Sequence, residues 1–98
     1  MDPQLSSVTQ QVKHLGKRLT VQRRAVLLHM LSAVNPPTAK DVYLALKSDM
    51  PNITLSTVYT ALRFFVKMGF LKEHVSPHAA SRFECLIPSH ALALQEVM

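Results

Sequence analysis

The chain has 98 residues with a formal net charge of +5, and 48% of them are apolar. A chain of this length buries roughly 60–65% of its unfolded surface, enough for one modest core; a barrel enzyme or a pair of catalytic domains around a cleft is excluded. With Gly at 2, Cys at 1 and no apolar run near membrane-span length, collagen-like, disulfide-framed and membrane-spanning classes are excluded too. The first ten residues carry no basic region followed by an apolar stretch, so no signal peptide is read there and the expected compartment is the cytoplasm. The basic residues are not spread evenly. Lys13, Lys17, Arg18, Arg23 and Arg24 follow one another without an intervening acid, which points to a polyphosphate partner.

In chain order, Asp2-Pro3 opens a first helix whose stripe is Leu5, Val8, Val12 and Leu15, with Gly16 as its stop. Thr20 caps a second helix, whose apolar face is Ala25, Val26, Leu27, Met30, Leu31 and Val34 and which ends at Asn35-Pro36-Pro37. Thr38 and Asp41 form a near capping box for a third helix through Leu46. After a turn over Asp49–Asn52, Thr54 caps a fourth helix that Gly69 closes. The period then changes. Phe70–Val75 and Arg82–Ile87 read as strands joined by a loop over Ser76–Ser81. Short helices followed by a hairpin predict a winged helix-turn-helix, mainly α with a small β-hairpin. The domain spans residues 1–88 and a short tail spans 89–98.

On the fourth helix, Leu55, Val58, Leu62 and Phe65 fall on a core side. Ser56, Thr60, Arg63 and Lys67 fall opposite, with Tyr59 at the edge of that polar stripe. Hydroxyls suit base edges or phosphates, a tyrosine ring suits a thymine methyl, and Arg63 and Lys67 suit phosphate. Arg82 on the second strand is expected to be a further phosphate contact. No carboxylate pair, Ser/His/Asp set or glycine-rich phosphate loop is present, so an enzyme is not expected.

Leu19-Thr-Val-Gln-Arg-Arg-Ala-Val-Leu27, Pro37–Lys47, Pro51–Tyr59 with its Thr57-Val58-Tyr59 segment, Gly69-Phe-Leu and Arg82-Phe-Glu84 occur in that order. Together they resemble the N-terminal domain of the ferric uptake regulator (Fur) family, which includes zinc uptake and peroxide regulators. The resemblance implies a bacterial transcription regulator, a repressor of metal-homeostasis or stress genes, binding AT-rich palindromes in double-stranded DNA. It implies that Tyr59 contacts thymines and that Arg18, with Lys17 beside it, reaches the minor groove; Thr57 joins the DNA-binding candidates as the first residue of the motif. One departure is Thr60, which stands where the family usually has arginine, so a guanine contact worth about 1–3 kcal/mol of discrimination is missing.

Family members are normally longer, with a second domain that pairs two copies and holds metal. By resemblance alone, a divalent metal (zinc or iron) is the implied cofactor. Glu84 and His90 match ligand positions of two different sites, while Pro36, Ala91 and Ala93 replace ligand histidines. Intrinsic metal sensing is therefore expected to be absent. His74 and His78 flank the wing loop, where solvated roles and a metal shared with His90 both stay open. Cys85 and the methionines read as core filling. The chain reads equally as part of a longer regulator or as a short paralogue without metal sensing. The apolar tail Ala91–Met98 is the expected homodimer contact. The alternative function is a winged-helix protein-interaction module without sequence-specific DNA binding.

Overall fold

A computed structural model of the chain describes residues 10, 13 and 19–86. Gln10 and Lys13 are helical; the rest of the first expected helix, its Gly16 stop and the tail lie outside the described residues. Three helices and a hairpin follow: α1 (Val21–Ser32), α2 (Ala39–Leu46), α3 (Leu55–Lys67), β1 (Leu71–Ser76) and β2 (Ala79–Cys85).

Local chemistry sets the helix starts. The hydroxyl oxygens of Thr20, Thr38 and Thr54 each accept the backbone N–H three residues on, from Arg23, Asp41 and Thr57 at 3.1–3.2 Å. At α2 the Asp41 carboxylate accepts the Thr38 N–H at 3.0 Å in return, completing the expected capping box. Those Thr38 contacts, backbone first and hydroxyl second, with the Arg82 charge adding to them, hold the Asp41 carboxyl below the usual carboxylate range. A carboxylate depressed in the fold adds stability above its unfolded pKa and loses it as pH falls through the folded one. Asp41→Asn should therefore be less stable than wild type near neutrality, with the difference closing in acid unfolding curves as pH drops below the carboxylate range.

The end of α3 is fixed by Gly69. The Phe70 N–H donates to the Phe65 carbonyl at 3.0 Å and the Gly69 N–H to the Val66 carbonyl at 3.0 Å, the paired bonds of a Schellman motif. Gly69 holds φ 83°, and the Phe65 and Phe70 rings meet at 6.4 Å across the cap. A Cβ at Gly69 would meet nothing within 4 Å, so only the backbone objects to one. Gly69→Ala should cost about 1 kcal/mol, read as a thermal midpoint about 4–8 °C lower.

The core draws on every element: Val26, Leu27 and Met30 from α1, Val42 from α2, Val58, Ala61, Leu62 and Phe65 from α3, Leu71 from β1 and Phe83 from β2. Ile53, two residues before α3, is buried with them. The order and packing are those of a winged helix, with α2 and α3 as the helix-turn-helix pair.

Three expectations are corrected. Val34 is 95% exposed rather than on a core face, because α1 stops at Ser32. The chain leaves the helix early to carry the Pro37 carbonyl to the Phe83 N–H, at 2.9 Å. Leu55 is 39% exposed rather than buried. It is the first residue of α3, and Ala61 joins Val58, Leu62 and Phe65 in the core instead. The loop over Ser76–Ser81 is in fact a two-residue turn, Pro77-His78, with Ser76 paired to Ala79. Proline presets the first turn residue, and among the described residues no non-glycine adopts positive φ. Such a turn matches strand twist poorly, and the register shift between His74 and Ser76 absorbs the mismatch.

Candidate nucleic-acid interface

The α3 side chains opposite the core stand in solvent: Ser56, Thr60, Arg63 and Lys67 are all exposed. Their roles differ in detail. The Thr60 hydroxyl donates to the Ser56 carbonyl at 3.0 Å, so its proton is spent within the helix. Thr57 is half-buried, with its hydroxyl 2.9 Å from that of Thr54; it belongs to the helix cap and supports the stripe from behind. Lys67 lies in the last turn, where a cation suits the helix dipole.

Tyr59 is half-buried and held on two sides. Its ring meets Phe83 edge-on, with centroids 6.5 Å apart at 72°. The Arg63 guanidinium sits 5.2 Å from the Tyr59 centroid, one helical turn along. Arg63 also lies 3.9 Å from the Glu73 carboxylate on β1. The ring is thereby fixed at the junction of helix and wing, with one rim available. Arg63 is mostly exposed and the 3.9 Å separation is long, so the pair with half-buried Glu73 adds little to stability.

Beside α3 runs a cleft that the stripe alone does not reveal. One hollow of about 290 Å³ lies between the α1 and α3 N-termini and is lined by Thr20, Gln22, Arg23, Ser56, Thr57 and Thr60. A second, of about 340 Å³, adjoins it through Arg23 and Thr60 and is lined further along by Arg63, Phe64 and Lys67. Among the described residues neither lining contains a carboxylate, though Glu73 pairs with Arg63 at the edge of the second. Arg23 was not among the expected site residues. Its guanidinium carbon lies 3.8 Å from the Phe64 ring centroid, which brings a cation of α1 onto the α3 face. Its place in the basic cluster was the only signal for it.

On the wing, Arg82 donates from Nη1 to the Pro36 carbonyl at 2.9 Å, so it ties the hairpin to the α1–α2 connection. Glu84 meets His74 Nε2 at 2.8 Å. These are two donors where a metal site needs three or four, and no group of three His, Cys, Asp or Glu converges among the described residues. The described part of the chain does not fit a sensor metal. His78 is exposed in the turn, and Cys85 is half-buried against the core. Lys17, Arg18 and His90 lie outside the described residues.

The family model described as "Ferric uptake regulator family" matches residues 14–96. The chain belongs to the ferric uptake regulator family. Among curated Fur-family relatives, it is 37% identical over 93 residues to the peroxide operon regulator of Bacillus subtilis, covering 95% of this chain and 64% of that one. It is 38% identical over 79 residues to the peroxide-responsive repressor PerR of Staphylococcus aureus, covering 81% of this chain and 53% of that one. The chain thus spans between half and two-thirds of the length of these relatives. The solved PerR of Streptococcus pyogenes superimposes with a TM-score of 0.79 at 26% identity, over 88% of this chain and 58% of that one. The Fur-family winged helix is therefore the fold of the described residues, and among them no helix is long and apolar enough to cross a membrane.

Proposed function

We propose that this chain is the DNA-binding part of a Fur-type transcription regulator, a repressor of metal-homeostasis or stress genes that reads AT-rich palindromes in double-stranded DNA. The observation that carries the reading is the α3 face, where an exposed row of Ser56, Thr60, Arg63 and Lys67 runs beside the half-buried Tyr59 ring and a cleft that no carboxylate among the described residues lines. The names of the two peroxide regulators support the same class. Tyr59 reads thymine methyls, Arg63 and Lys67 neutralise phosphate, and Lys17 and Arg18 hold the adjacent minor groove. Arg82 serves chiefly by holding the wing against Pro36 and adds its remaining donors to the backbone.

A palindrome asks for two copies, and the winged-helix domain over residues 1–88 acts as one half of a homodimer. The tail over residues 89–98 is assigned the pairing. Metal sensing is not assigned to this chain, because Glu84 is committed to His74 and no third donor stands near them among the described residues.

Fluorescence anisotropy with an AT-rich palindromic duplex and a scrambled duplex of equal composition, at low and moderate salt, tests the reading. Tighter binding to the palindrome, weakening steeply with salt, is expected. Equal and weak binding to both would replace it with the interaction-module reading.

A further inference from the structure

We propose that Arg23 is a phosphate clamp: seated over Phe64, its guanidinium binds a phosphodiester of the DNA strand that borders the groove α3 enters. The inference rests on the DNA-binding reading above and adds a residue from a different helix to it.

Three features of the structure carry it. The first is position. Among the described residues Arg23 is the one basic side chain shared by the two adjoining hollows, so it stands where the α1 end of the cleft opens onto the α3 stripe. The second is order. A free arginine on a surface helix samples many rotamers, and fixing it on a ligand costs entropy. Here the charge is already held 3.8 Å from the Phe64 ring centroid, so less rotamer freedom remains to be lost. The third is the company it keeps. Arg63 and Lys67 continue the cationic line on the same side of α3, with the Thr60 side chain between, and among the described residues no carboxylate enters either lining. A line of fixed and mobile cations beside a groove-reading helix fits the repeating charge of a phosphodiester strand better than a single small anion. Because Arg23 belongs to α1, it flanks the bases rather than facing their edges, so its contribution is affinity without sequence information. Phe64 is then a positioning residue for that contact.

The test is salt-dependent anisotropy on the full chain with the two duplexes above, comparing wild type, Arg23→Gln, Arg24→Gln and Phe64→Leu. Thermal melts confirm that each variant is folded. Arg24→Gln removes the same formal charge one residue along, from a side chain that lines neither hollow. For Arg23→Gln, affinity should fall roughly five- to tenfold for both duplexes alike, and the slope of log affinity against log salt should flatten by about 0.9 for each bound copy. Arg24→Gln should change both readings much less. Phe64→Leu should weaken both duplexes while keeping every charge.

Three results would overturn the clamp. One is an unchanged slope in Arg23→Gln, another is an equal effect of Arg24→Gln, and the third is a loss confined to the palindrome, which would make Arg23 a base reader. These outcomes leave DNA binding by the wild type intact. Wild type that favours neither duplex would instead overturn the functional reading, and the clamp with it.

Discussion

Tyr59→Ala should lose most of its preference for the palindrome over the scrambled duplex while keeping much of its residual, salt-sensitive binding. A well-placed base contact supplies about 1–3 kcal/mol of discrimination, so the preference should fall roughly five- to 150-fold per copy. The structure adds a control. The Tyr59 ring also packs against Phe83 and under Arg63, and truncation to Ala removes those contacts as well. Tyr59→Phe keeps the ring, its edge-on contact and the seat of the Arg63 guanidinium, and removes only the hydroxyl. If the ring reads a thymine methyl, Tyr59→Phe retains the preference that Tyr59→Ala loses. If both variants lose it equally, the hydroxyl is the reader. Circular dichroism of each variant separates loss of reading from loss of fold. An unchanged preference in Tyr59→Ala would remove α3 as the reading element.

Phe83→Ala carries the largest expected effect on stability. Phe83 is fully buried on β2, and its ring is the wall against which Tyr59 rests. Deleting a buried phenylalanine costs about 3–5 kcal/mol, from lost transfer energy and the cavity left behind. Domains of this size are stable by only about 5–15 kcal/mol. The thermal midpoint should fall by roughly 15–30 °C, and a chain near the lower end of that stability range will not fold. Phe83→Leu fills most of the volume and should lose far less. The two midpoints, measured by circular dichroism, check this. A loss under about 1 kcal/mol for Phe83→Ala would mean that the hairpin is not part of the main core.

Much of the fold was legible because its boundaries are written locally. Thr20, Thr38 with Asp41, Thr54 and Gly69 each act on backbone groups within a few residues, so their roles follow from short spacings alone. The α3 stripe was legible for the same reason, since helical period places Ser56, Thr60, Arg63 and Lys67 together. What escaped depends on segments far apart in the chain. The length of α1 is decided by where Pro37 must meet Phe83. The hairpin turn lacks the glycine or asparagine that usually marks one, and only pairing with β2 shows how far β1 runs. Arg23 reaches the site only because α1 packs on α3 and offers it Phe64. Leu55 follows the period of the core stripe, but periodicity does not tell where the neighbouring helices end.

The Arg82 and Glu84 assignments show the same limit on the functional side. Arg82 was placed by its charge as a phosphate contact, and Glu84 by the family resemblance as a ligand position. In the fold, each has a partner from another segment, the Pro36 carbonyl and the His74 imidazole. Residue type and spacing cannot say which partner is nearest once the chain has folded.

The contact between the α1–α2 connection and the wing also bears on how copies of this chain can meet. A two-stranded hairpin has two open edges, and an open edge invites another strand to add. Here the outer edge of β2 is taken: Thr38 bridges Arg82, and the Pro37 carbonyl accepts the Phe83 N–H. Two prolines in that connection supply no N–H of their own, so they cannot template a further strand. Among the described residues the remaining edge is that of β1, which carries Lys72, Glu73 and His74, side chains that discourage strand addition. Growth of the sheet from copy to copy is thus closed on one side and disfavoured on the other. Sheet-to-sheet pairing through the wings is therefore a poor route for two copies to meet.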